Sequence, residues 1–110
     1  MKYKTCVSIA EKTPIKIKQV LKIALKKSDY VEVRLDFLKI EQVPEALEII
    51  KNDLNKIVCT LRPKTEGGKF SGNEKERIAI IKLIAEYSPF LLDIEYNTLK
   101  KNTSLVKYLK

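Results

Sequence analysis

The 110-residue chain contains no histidine, and so lacks the side chain that most often serves as a general base near neutral pH and as a zinc ligand. Any step that needs a histidine must take it from another chain or from further sequence. The two cysteines, Cys6 and Cys59, form no Cys-x-x-Cys pair and no disulfide framework. Each sits in an apolar run, the setting of a small buried hydrophobe rather than of a ligand or nucleophile. Apolar runs are short, Phe90 to Leu92 being typical, whereas a membrane-spanning helix needs roughly 20 such residues, so no span is expected. The N-terminal stretch MKYKTCVSIAEK is too poor in apolar residues for a signal peptide, and the expected location is the cytoplasm. Glycine is scarce too, with three in all; the Glu66-Gly67-Gly68 turn cannot be a P-loop, and no G-x-x-x-x-G-K-[ST] occurs.

What is present is charge and pattern. A composition 45% hydrophobic and 33% charged is that of one globular domain. The net charge of +8, from 22 basic against 14 acidic residues, raises the question of a nucleic-acid partner. Nearly all the excess is lysine, spread at helical spacing among acids, whereas a nucleic-acid face concentrates arginine, lysine and stacking aromatics. A solvated lysine-rich surface is expected, with neither nucleic acid nor membrane as partner.

Residues 4 to 10 form a short strand-like run, and Thr13-Pro14 supplies an N-cap followed by proline at the first helical position. Ile17, Val20, Leu21, Ala24 and Leu25 then recur at helical spacing up to Ser28-Asp29. YVEVRLDF, residues 30 to 37, alternates apolar Val31, Val33, Leu35 and Phe37 with Tyr30, Glu32, Arg34 and Asp36, the period of a strand. A second helix is predicted from Val43 or Pro44 to Asn55, and a third strand over residues 57 to 62. The loop PKTEGGKFSGN follows. Asn73 with Glu76 reads as a capping box opening a third helix striped by Ile80 or Ile81, Ile84 and Ala85. FLLDIEY reads as a fourth strand, and residues 103 to 110 as the start of a fourth helix.

Strict alternation of strand and helix predicts an α/β architecture of parallel (β/α) units with right-handed crossovers. A doubly wound sheet is covered on both faces, so its strands read as near-continuous apolar runs. In a (β/α)8 barrel one strand face packs on helices and the other looks into the barrel, which suits the alternation in VEVRLDF. A full barrel takes about 250 residues. The whole chain, residues 1–110, is therefore expected to be a single (β/α)4 half-barrel, half of a TIM-type barrel.

Glu32, Arg34 and Asp36 share one face of the second predicted strand, Arg62 ends the third, and Asp93 and Glu95 share a face of the fourth. Charges persist in such an interior only when paired, solvated or held ready for a polar ligand. An ion-pair network of Glu32 with Arg34 or Arg62 that fixes register is one reading; a site for a small polyhydroxylated or carboxylated ligand is the other, since guanidinium forks bind oxygen pairs and carboxylates accept from hydroxyls. Magnesium on Asp36, Asp93 and Glu95 is chemically conceivable, but no spacing specifies it, and no metal is expected. The loop with Glu66 is either an ordinary surface turn or a lid over the site.

CVSIA, VEVRLDF, CTLRPKTEGG with its following F-S-G-N, and LLDIEY together resemble, in order and spacing, the N-terminal half of type I 3-dehydroquinate dehydratase, over essentially the whole chain. The resemblance implies a (β/α)8-barrel enzyme of the shikimate pathway that converts 3-dehydroquinate to 3-dehydroshikimate and water through a Schiff base, without metal or organic cofactor. By motif position, Ser8, Glu32, Arg34 and Arg62 would contact the substrate. Asp36 would support Arg34, Glu66 would sit in the covering loop, and Asp93 and Glu95 would line the floor without an assigned role. In this family the imine-forming lysine and the proton-moving histidine come from later strands. The resemblance thus places no catalytic residue in this chain, which alone should be inactive and should pair with a C-terminal half. The alternative is a non-catalytic, self-associating half-barrel, a homo-oligomer that covers its open edge strands by pairing them.

Overall fold

The computed structural model describes residues 6–64, 67–70 and 72–93. Four strands, β1 (Cys6–Ile9), β2 (Tyr30–Arg34), β3 (Ile57–Thr60) and β4 (Leu91–Asp93), alternate with three helices, α1 (Pro14–Lys27), α2 (Val43–Ile50) and α3 (Glu74–Glu86). All strand pairs are parallel and the spatial order is β1-β2-β3-β4. Sequential order without a reversal is that of a barrel wall and not of a doubly wound sheet, which switches direction at its middle.

Local chemistry accounts for the helix ends. The Thr13 hydroxyl accepts from the Lys16 N–H at 3.2 Å and Pro14 takes the first position of α1, where a missing N–H costs nothing. At α3 the Asn73 side chain accepts from the Glu76 N–H at 2.8 Å while the Asn73 N–H donates to Glu76 Oε1 at 2.9 Å, the reciprocal capping box that the spacing predicts. Ile17, Leu21 and Ala24 of α1 are buried, and its lysines 16, 18, 22, 26 and 27 are exposed. The α3 stripe buries Ile80, Ile81 and Ile84, and with them Arg77; Ala85 is half-buried.

Three elements end earlier than their patterns. The strand predicted over residues 30–37 ends at Arg34, and Leu35–Phe37 form a 3-10 turn. Leu35 remains buried and Phe37 is half-buried, so the turn preserves the inward apolar position while its turned backbone lets Asp36 meet other partners. The second helix ends at Ile50 and continues as a 3-10 helix, Lys51–Lys56. Asn52, Asp53 and Asn55 lie there, side chains that compete with the helical backbone for hydrogen bonds. Leu54 stays buried, and its carbonyl accepts from the Phe90 N–H at 2.8 Å. The third strand also stops at Thr60, two residues short of the expected end. The continuation of the fourth strand beyond Asp93 and the helix expected over 103–110 lie outside the described residues.

One face of the sheet carries the core: Ile9, Val31, Val33, Ile57 and Cys59 pack with Ile17 and Leu21 of α1, Ala46, Leu47 and Ile50 of α2, and Ile81 and Ile84 of α3. On the other face Tyr30, Glu32, Arg34 and Val58 are only half-buried. Among the described residues no helix is long and apolar enough to cross a membrane. Cys59 lies fully inside the core, and burial pushes its thiol up to about 12. In a Cys6→Ser chain, a disulfide reagent at pH 8 should therefore label Cys59 only as fast as the protein unfolds; labelling at the rate of a free thiol would contradict this packing.

Candidate functional site

The register aligns the polar positions in two rows. Ser8, Glu32, Val58 and Leu91 are successive partners across the sheet, as are Arg34, Thr60 and Asp93. Partners in a parallel ladder share a face, so the expected ligand residues of β1 and β2 lie on the face away from the helices, toward the C-terminal strand ends.

There the Glu32 carboxylate is held from both sides. Oε1 accepts from the Ser8 hydroxyl at 2.6 Å and Oε2 from the Thr60 hydroxyl at 2.7 Å. Among the described residues Glu32 makes no ion pair, so the register-fixing Glu32–arginine pair left open by the sequence is not what forms. Two hydroxyls occupy about half of the roughly four acceptor positions of a carboxylate, fixing its orientation and leaving capacity to accept from ligand hydroxyls.

Arg34 is held by Asp36. Nε donates to Oδ1 at 3.0 Å and Nη2 to Oδ2 at 2.8 Å, the bidentate fork that gives an arginine a defined plane. The Asp36 side chain is 0% exposed and that of Arg34 22%. The guanidinium carbon also lies 5.4 Å from the centre of the Phe37 ring, within cation–π range. Asp36 Oδ2 accepts further from the Lys69 N–H at 2.9 Å. This third bond ties β2 to the loop after β3, and with three donors on its oxygens Asp36 is a poor prospect for the magnesium alternative.

Arg62 stands two residues beyond β3, half-buried, on a backbone that the loop grips. The Phe70 N–H donates to the Arg62 carbonyl at 3.2 Å and the Gly68 N–H to the Pro63 carbonyl at 2.8 Å. Gly67 adopts φ +82°, and a Cβ on Gly68 would lie 2.0 Å from the Arg62 oxygen; the first glycine serves conformation and the second close approach. Phe70 is buried. The described part of this loop is thus docked on the strand exit. Glu66 and Glu95 lie outside the described residues, and Asp93 is placed only as the register partner of Thr60.

The structure therefore joins Ser8 with Glu32 and Arg34 with Asp36, and brings Arg62 to the same end of the sheet. Sequence reasoning missed Thr60, whose hydroxyl holds Glu32. Thr60 was detectable: in IVCTLR a period of two places it on the face that bears the β2 charges. A cavity of about 340 Å³ opens beside Asp36, lined by Lys12, Asp36, Phe37, Leu38, Lys39 and Lys69.

Comparison with known proteins bears on the family and the fold. The 3-dehydroquinate dehydratase of Desulfotalea psychrophila is 30% identical over 101 residues, covering 90% of this chain and 42% of that protein. That of Methanothermobacter thermautotrophicus is 32% identical over 107 residues, covering 96% and 48%. The crystal structure of 3-dehydroquinate dehydratase from Geobacillus kaustophilus HTA426 has the same fold, with a TM-score of 0.81 at 20% identity over 99% of this chain and 46% of that one. The chain spans a little under half the length of these relatives, and its fold is a partial (β/α) barrel. Since the sequence profile of type I 3-dehydroquinase also matches residues 5–110, a range that contains every strand of this sheet and its polar face, the chain belongs to that family.

Proposed function

We propose that this chain is the substrate-binding N-terminal half of a 3-dehydroquinate dehydratase, a cytoplasmic enzyme of the shikimate pathway. The observation that carries the reading is the preorganised pair on the open sheet face, Glu32 fixed by Ser8 and Thr60 beside Arg34 fixed by Asp36. The substrate is a hydroxylated ring bearing a ketone and a carboxylate. Glu32 accepts from ring hydroxyls, Arg34 and Arg62 hold oxygen atoms in their forks, and Lys12, Lys39 and Lys69 around the neighbouring cavity draw in the anion. Such positioning lowers the barrier by orienting the ring for proton removal and loss of hydroxide.

The reaction begins when a lysine amine adds to the ketone and water leaves, giving an imine that acidifies the adjacent carbon. An imine-forming lysine is activated by burial or by a neighbouring cation. No described lysine is buried, and the sequence holds no histidine. Both groups come from a C-terminal half, and this chain alone is inactive.

The open face favours such a partner, because Tyr30 stacks on Phe90 with ring centres 4.3 Å apart while Phe90 and Leu91 are 46% and 56% exposed. A second copy covering the same face is the competing reading, a self-associating module without catalysis. Mixing the chain with the C-terminal half of the Methanothermobacter relative tests between them. The mixture should dehydrate 3-dehydroquinate, borohydride should trap substrate on the added half, and Arg62→Ala should lower turnover on the order of 100-fold, as loss of one placed cationic donor does. Lys51→Ala should have no effect. A stable homodimer that gives no activity at high concentration of either half would refute the enzymatic reading.

A further inference from the structure

We infer that Arg77, a buried guanidinium on α3, is a positioning residue that sets the β3 exit and so holds the Thr60 hydroxyl and the Arg62 side chain where the ligand site needs them; its consequence for ligand rests on the reading above. Arg77 is 1% exposed. Its Nη1 donates to the Leu61 carbonyl at 3.0 Å, and its Nη2 donates to Glu74 Oε1 at 2.9 Å.

Leu61 is the residue between Thr60, the last of β3, and Arg62. The ladder from β3 to both neighbours ends at Thr60, so the Leu61 carbonyl lies past the regular pairing, and Arg77 supplies it with a charged donor from the helix. A buried carbonyl left without a partner is costly. The next carbonyl, that of Arg62, accepts from the Phe70 N–H. The peptides on either side of the Arg62 Cα are therefore held from two directions, by α3 through Arg77 and by the loop through Phe70.

Stability alone does not account for this choice. A buried cation is often replaceable by an apolar side chain of similar volume without loss of stability, and the α3 stripe is otherwise isoleucine. What a guanidinium adds is reach and a planar fork, one prong on the strand exit and the other on Glu74, whose side chain is 57% exposed. That fork fixes the distance between the first turn of α3 and the backbone that carries Thr60 and Arg62.

The test uses the full chain, labelled with nitrogen-15, as parent, Arg77→Met, Arg77→Lys and Glu74→Ala. Arg77→Met should keep a cooperative thermal transition yet shift the Arg62 Nε–H resonance and lower hydrogen-exchange protection of the Phe70 amide about tenfold, the scale of one lost bond to a charged group. Titrated 3-dehydroquinate should bind about tenfold more weakly, again one such bond. Arg77→Lys, with a cation but no fork, should recover part of each loss. Glu74→Ala, at an exposed position, should move both signals in the same direction by less, and it decides the question if Arg77→Met fails to fold. An unchanged Arg62 resonance together with unchanged Phe70 exchange, in Arg77→Met or, failing that, in Glu74→Ala, would overturn the inference. If the parent chain binds no 3-dehydroquinate, the ligand reading fails, while resonance and exchange still decide the role of Arg77.

Discussion

Replacing Gly68 with alanine should destabilise the protein by about 3 kcal/mol, the upper part of the range for forcing an extra methyl into packed structure, and should abolish ligand binding at the same time. The new Cβ would lie 2.0 Å from the Arg62 oxygen, 2.4 Å from its carbonyl carbon and 2.6 Å from its Cβ. Two of these are backbone atoms, which cannot swing aside. Either the loop lifts, breaking the Gly68-to-Pro63 and Phe70-to-Arg62 hydrogen bonds, or the β3 exit moves and takes Arg62 with it. Gly67→Ala is the matched control. Its Cβ would meet nothing within 4 Å, but its φ of +82° should cost about 1 kcal/mol, the strain of a left-handed residue. Urea titration followed by circular dichroism measures both. If Gly68→Ala proves no worse than Gly67→Ala, the loop does not dock on Arg62 as described.

Asp36→Ala should cost about 3 kcal/mol, the lower end for breaking a buried ion pair, because Arg34 retains some contact with water. Three hydrogen bonds disappear, two from Arg34 and one from the Lys69 N–H. The consequence extends beyond stability. Arg34, no longer held in plane, becomes free to turn toward Glu32 across the ligand face, so 3-dehydroquinate binding should fall with stability in Asp36→Ala and return partly in Asp36→Asn, which keeps an acceptor. A double-mutant cycle with Arg34→Ala should be strongly non-additive, as contacting partners are. Additive losses would mean that the fork contributes nothing. Lys51→Ala, which breaks the exposed pair with Glu48, should be indistinguishable from the parent, as exposed pairs are weak.

On this face one partner was foreseen and the other was not: the family resemblance paired Asp36 with Arg34, as the fork shows, whereas nothing local indicated what would hold Glu32. Alternation placed Glu32 and Arg34 on one face, and opposite charges two residues apart invited an ion pair between them. The strand bends into a turn after Arg34, so Asp36 takes the arginine, and Glu32 is satisfied instead by hydroxyls 24 and 28 residues away. Arg77 was hidden by the same logic: within a lysine- and glutamate-rich helix it reads as one more solvated charge, and only its proximity to the Leu61 carbonyl makes it a buried one.

Sequence by itself determined the caps of α1 and α3, the sides that face the core, the parallel β/α order and the family, because each rests on neighbours three or four residues apart or on a contiguous motif. Tertiary structure decided where β2 and α2 stop, which hydroxyls hold Glu32, why Gly68 must be glycine and what Arg77 does. Those outcomes depend on groups distant in the chain meeting within hydrogen-bond or van der Waals range, and no local pattern encodes such a meeting.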